Sequence, residues 1–110
     1  MQTMIVKLLP GNLENPDLDI RYKLPDAVKA YTDNRIKDNG YDYLDEDEAG
    51  SDALGIWLAC ENAAEDVKDV IALMKQQRIC DNDLSQSAEV YISEKETDDI
   101  QNCRKVYPQE

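Results

Sequence analysis

The residues best suited to chemistry are acids. From Asp38 to Asp52 seven carboxylates stand with no Lys or Arg among them: Asp38, Asp42, Asp45, Glu46, Asp47, Glu48 and Asp52. Hard cations want clustered oxygens, so calcium is the first chemistry to test. Asp45-x-Asp47-x-Ala49-Gly50 begins like an EF-hand loop and has the Gly at its sixth position. It has Ala49 at the fifth, and Ile56 at the twelfth where a bidentate Glu is needed. Asp81-x-Asp83-x-Ser85 fails in the same way, with Gln86 and Ile92 at those key places. No metal site is expected. Two readings of the acidic stretch stay open: a solvated loop with no partner, or a docking surface for a basic protein, whose approach clustered charge of one sign speeds and orients.

Catalysis has little to work with. Paired carboxylates are abundant, but any acid-rich surface offers pairs at general acid–base spacing, and no cleft is implied. The chain has no His, which removes Ser-His-Asp triads, Cys-His pairs and His-ligated metals. Cys60, Cys80 and Cys103 stand 20 and 23 residues apart, with no CxxC. They read as three reduced thiols of a cytoplasmic protein. Pro10-Gly11-Asn12 lacks the spacing and the lysine of a phosphate loop. The expectation is a non-enzyme with no catalytic residue and no cofactor.

Aromatic residues are the second constellation. Trp57 is the only tryptophan. It alternates with Leu54, Ile56 and Leu58 and so points away from their row. Tyr91 alternates likewise with Val90 and Ile92, and Tyr41 and Tyr43 share one face of their segment. Placed together on an open sheet face, such rings suit either of two ends. They anchor a protein partner, because Trp and Tyr are enriched at interface hot spots, or the C-terminal residues cover Trp57 and it is core. The predicted partner-binding set is Asp42, Tyr43, Asp45, Glu46, Asp47, Glu48, Asp52, Trp57 and Tyr91. RNA also stacks on such faces, but the charge opposes it.

That charge is −12, from 12 Lys+Arg against 24 Asp+Glu. A chain so acidic cannot neutralise phosphates, which argues against nucleic acid and against anionic membrane surfaces. No apolar run approaches the ~18 residues of a membrane span. The first ten residues lack a basic region and a cleavage site, so they do not read as a signal peptide.

The elements that must position these residues follow from periodicity. At 110 residues and 42% hydrophobic, the chain reads as one α+β domain over 1–110. Met4–Leu9 is a short buried strand before a Pro-Gly-Asn loop. Leu18–Leu24 alternates apolar and charged at each step, which predicts a strand, and Pro25 then opens a helix that stops at Asn39-Gly40. Tyr41–Leu44 is a short strand, 45–52 an acidic loop, and Ala53–Cys60 the most buried strand. Asn62 with Glu65 three residues on predicts a capped helix over 63–78, with Ala63, Val67, Val70, Ile71 and Met74 inward. Ala88–Glu94 alternates as a strand with Ala88, Val90 and Ile92 inward, and Cys103–Tyr107 is a last edge strand ending at Pro108.

Without the first strand and the tail, the order is β-α-β-β-α-β. This is the ferredoxin-like or split-βαβ order, with two helices on one face of a mainly antiparallel sheet. Alternatively, Met4–Leu9 is the first core strand and 18–24 an insertion.

The short α+β layout, the stretch Tyr41-Asp42-Tyr43-Leu44-Asp45-Glu46-Asp47-Glu48 before a buried strand, and the exposed aromatics resemble small acidic bacterial toxin-immunity proteins. The resemblance implies an inhibitor that occludes a basic partner such as a nuclease toxin. It carries over no individual contact residue. The alternative from another class is a dimeric ferredoxin-like domain that senses a small molecule or a metal, burying its open sheet face between two copies. Monomer and homodimer both fit the sequence.

Overall fold

The computed structural model describes residues 1–8, 13–15, 19–45, 52–97 and 99–107, with the side chains of 44, 45 and 52 left aside. Five strands form one sheet: β1 (Gln2–Leu8), β2 (Lys37–Asp45), β3 (Asp52–Cys60), β4 (Ala88–Ser93) and β5 (Arg104–Tyr107). Their order is β2-β3-β1-β4-β5, and each neighbouring pair is antiparallel. Helix α1 (Ile20–Tyr31) links β1 to β2, and α2 (Ala63–Gln76) with the single turn α3 (Leu84–Ser87) links β3 to β4. Among the described residues, no helix is long and apolar enough to cross a membrane.

The continuous apolar runs become the central strands because both of their faces are buried. On one face Met4, Val6 and Leu8 of β1 lie opposite Leu58, Ile56 and Leu54 of β3, and opposite Ile92, Val90 and Ala88 of β4. These rows meet Ile20, Leu24 and Val28 of α1 and Val67, Val70, Leu73 and Met74 of α2 in one core. The sequence is thus an α+β chain with an antiparallel sheet, compatible with two layers. Helix α2 starts where its cap predicts: Asn62 Oδ1 accepts the Glu65 N–H at 3.3 Å. It ends at Gln76, two residues before the predicted stop, and Ile71 lies at its margin, only partly buried. Strand β4 keeps its alternation, with Ala88, Val90 and Ile92 buried.

The predicted strand over 18–24 is overturned from Ile20 onward, and Leu18 lies outside the described residues. Helix α1 begins at Ile20, and Pro25 lies inside it, not at its first turn. Ile20, Leu24 and Val28 recur every four residues, and that helical stripe faces the sheet. Tyr22, which period two would have buried beside Ile20 and Leu24, is exposed. With 20–24 in helix α1, β1 is the first strand of the core. The helix stops at Tyr31, well before Gly40, and Asp33 and Asn34 turn the chain at positive φ.

Gly40 has another task. Between Asp38↔Leu58 and Tyr41↔Ile56, β2 advances three residues while β3 advances two. This is a β-bulge, and Gly40 supplies its φ of +95°. The bulge exchanges the two faces of β2 for every residue after it.

Candidate functional site

That exchange decides where the aromatics go. Tyr41 pairs with Ile56 and Tyr43 with Leu54, so both tyrosines lie on the helix side of the sheet, not on the open face with Trp57. They stand at the outer edge, where α1 ends the cover. Tyr41 and Tyr43 are 40% and 47% exposed, and Tyr22 of α1 is 49% exposed.

Arg21 joins the three rings. Its guanidinium carbon is 5.0 Å from the centroids of both Tyr22 and Tyr41, and Nη1 donates to the Tyr43 hydroxyl at 3.4 Å. Tyr22 and Tyr41 meet edge to face, with centroids 5.8 Å apart. Guanidinium over ring faces and edge-on ring pairs are both favourable arrangements. Desolvation opposes the charge of Arg21, but the facing phenols outweigh it, and its proton affinity is raised. The Arg21 Nε is enclosed and has no hydrogen-bond partner.

Two acids hold the free edge of the sheet beside this cluster. Asp38 Oδ1 accepts the Gly40 N–H at 2.9 Å, and Asp42 Oδ1 accepts the Tyr43 N–H at 2.8 Å. Edge donors are thereby occupied by carboxylates, a device that blunts indiscriminate strand pairing. Asp45 and Asp52 are register partners where β2 and β3 end. Glu46, Asp47 and Glu48 lie outside the described residues.

The opposite face is no open aromatic platform. Ile5 lies between Trp57 and Tyr91 in a row across β3, β1 and β4. Ile5 is 0% and Trp57 7% exposed, so Trp57 is not an exposed anchor. Tyr91 is half-buried, and its hydroxyl donates to Glu89 Oε1 at 3.2 Å. Glu89 also meets Lys7 and Lys105, each at 3.6 Å. At one end of this face Thr3 Oγ1 donates to the Lys95 carbonyl at 3.0 Å and accepts the Thr97 N–H at 3.1 Å, so residues 95–97 cross over β1 there. Of the predicted aromatic set, Tyr43 therefore stands apart from Trp57 and Tyr91.

No protein-family model matches the chain, and neither a curated protein nor a solved structure is significantly similar to it. The site must be argued from its own chemistry. Among the described residues, no group of three or more Cys, Asp or Glu is arranged to hold a metal. None of the three cysteines is in a disulfide. Burial, reinforced by the Asp66 carboxylate, pushes Cys60 up to about 11, the opposite of an activated nucleophile.

Sequence reasoning missed Arg21, Tyr22 and Asp38. The four-residue recurrence of Ile20, Leu24 and Val28 was the available signal. Read as a helix, it puts Arg21 and Tyr22 on the flank of the buried stripe. Asp38 was counted among the acids, but its place beside Gly40 depends on the bulge.

Proposed function

We propose that the chain is a non-enzymatic protein-binding domain that holds a basic partner at the β2 edge, as an immunity or inhibitor protein would hold and occlude a basic toxin. The observation that carries this is the exposed Arg21–Tyr22–Tyr41–Tyr43 cluster beside Asp38 and Asp42. Tyr and Arg are the residue types that anchor protein interfaces. Clustered acids add steering, which acts on the rate of encounter. The net charge of −12 favours a cationic partner. Asp45, Glu46, Asp47, Glu48 and Asp52 extend the acidic run in sequence. In this reading the domain works in the cytoplasm, where free thiols persist.

The finer fold assignment belongs to the same proposal. The order β2-β3-β1-β4, with helices between β1 and β2 and between β3 and β4, supports reading the chain as a ferredoxin-like split βαβ unit. Strand β5 is added outside β4. The sensing-dimer alternative needs apolar surface on the far face of the sheet for a second copy to cover. Ile5 is already fully buried within one chain, so that alternative gains little there.

The test is capture of partners from the native host's lysate by the tagged chain, washed at low and high salt. A single basic protein retained in near-equal amount is the expected result. Replacing Asp45, Glu46 and Asp47 by Lys should then slow its association and flatten the salt dependence. Retention of nothing, or an on-rate at low salt that the replacements leave unchanged, counts against the reading.

A further inference from the structure

The β2 bulge opens a cavity of about 340 Å³, lined by Asn39, Gly40, Tyr41, Asp42 and Trp57. Its size is at the lower end for a binding site, about 300 Å³. Asp42 and Trp57 reach it from the same side of the sheet. Asp42 is the register partner of Gly55, two residues from Trp57. A Cβ placed on Gly40 would meet no atom within 4 Å, so the space at the bulge is open. Two features of the lining lack partners of their own. Trp57 is 93% buried (7% exposed), yet its indole Nε1–H has no acceptor. Asp42 uses Oδ1 for the Tyr43 N–H, and its other oxygen accepts no hydrogen bond among the described residues. Buried donors left without an acceptor are uncommon in folded proteins, and a bound group that supplies one would account for this donor.

Resting on the docking reading above, we infer that this cavity receives a Lys or Arg side chain of the basic partner, its cation between the Asp42 carboxylate and the Trp57 ring and its peptide carbonyl on the Trp57 Nε1–H. Each part answers a group in the lining. A cation is attracted by a carboxylate and by an aromatic ring together. The carbonyl satisfies the orphan donor. A simple metal ion would meet one carboxylate and offer the indole nothing.

Trp57 is the only tryptophan, so its fluorescence reports on this cavity alone. The probe is the peptide acetyl-Gly-Arg-Gly-amide, compared with the same peptide carrying citrulline, which keeps the shape and the carbonyls and removes the charge. The expected result is a saturable change in Trp57 emission with the arginine peptide, and binding weaker by about three- to tenfold with citrulline or at high salt. Asp42→Asn should weaken the arginine peptide by a similar factor. It keeps an oxygen for the Tyr43 N–H, and far-ultraviolet circular dichroism checks that the fold is unchanged. Equal binding of both peptides, or no saturable change with either, overturns the inference. The two proposals fail separately. If the arginine peptide binds as expected and lysate yields no basic protein, the cavity assignment stands and the docking function falls. If a basic protein is captured equally by the unchanged chain and by Asp42→Asn, and the peptide gives no signal, the cavity assignment falls and the docking function stands.

Discussion

The Arg21 guanidinium lies 5.0 Å from the Tyr41 ring centroid and so ties the first turn of α1 to edge strand β2. Neither residue belongs to the buried core. Their contact nevertheless fixes the shape of the exposed cluster, because Tyr22 packs edge-on against the same Tyr41 ring. An interface anchored on rings already held in place loses less side-chain freedom on binding than one built from mobile chains.

The two tyrosines of β2 should therefore behave differently. Tyr41→Ala removes the ring contacts to Arg21 and Tyr22, and it lowers the urea midpoint with the slope unchanged. Tyr43 makes one long hydrogen bond to Arg21, so Tyr43→Ala leaves the unfolding free energy within about 0.5 kcal/mol of the parent's. Both weaken capture of the basic partner. A Tyr43→Ala chain that captures as well as the parent removes Tyr43 from the interface.

Gly40 carries its φ of +95° with open space where a Cβ would go. The cost of Gly40→Ala is thus conformational, not steric, at about 1–2 kcal/mol. Denaturant unfolding measures it. A neutral result would mean that the bulge relaxes, and Tyr41 and Tyr43 would then turn toward the far face. Loss of the Arg21 contacts in the tyrosine NMR shifts would report that rotation.

Asn82 is a second structural hinge-pin, 1% exposed. Its Oδ1 accepts the Asn15 N–H at 2.7 Å, and its Nδ2 donates to the Asn15 carbonyl at 2.7 Å and to the Cys80 carbonyl at 3.0 Å. These bonds clamp residues 13–15 onto the turn after α2. Asn82→Ala strands the Asn15 backbone groups and should destabilise by about 2–3 kcal/mol. Amide exchange at Asn15 should accelerate more than exchange in β1. Equal acceleration in both would mean global unfolding, without local release of the clamp.

Most elements were legible where local pattern and tertiary environment agree. The unbroken run Ala53–Cys60 is a central strand, Ala88–Ser93 alternates as one half-covered by helices, and Asn62 caps α2. Two misreadings have physical causes. Residues 18–24 satisfy period two locally, but Ile20, Leu24 and Val28 also satisfy a helical stripe, and docking on the sheet selects the helix. The bulge at Asn39–Gly40 reverses the faces of β2, so Tyr41 and Tyr43, which do share a face, lie on the helix side and do not join Trp57. Gly40 was the visible sign of it, read instead as a helix stop. The candidate site inherits that error: its acids were legible from composition, its ring cluster was not.

Burial of Cys60 should make the stability of the fold fall at alkaline pH. The residue is fully buried, and its thiol is raised from 9.0 to about 11 by burial first and then by Asp66. The folded state therefore holds its proton more tightly than the unfolded chain does. Its contribution is fully present below pH 9, and it is lost as pH rises through the window from about 9 to about 11. The shift of about two pKa units corresponds to roughly 2–3 kcal/mol at most. The parent carries other ionisable groups, so its curve alone does not isolate the thiol. Cys60→Ala does: its urea midpoint should fall less steeply than the parent's between about pH 8.5 and 10.5. Parallel curves for the two chains would show that the buried thiol does not set the alkaline limit.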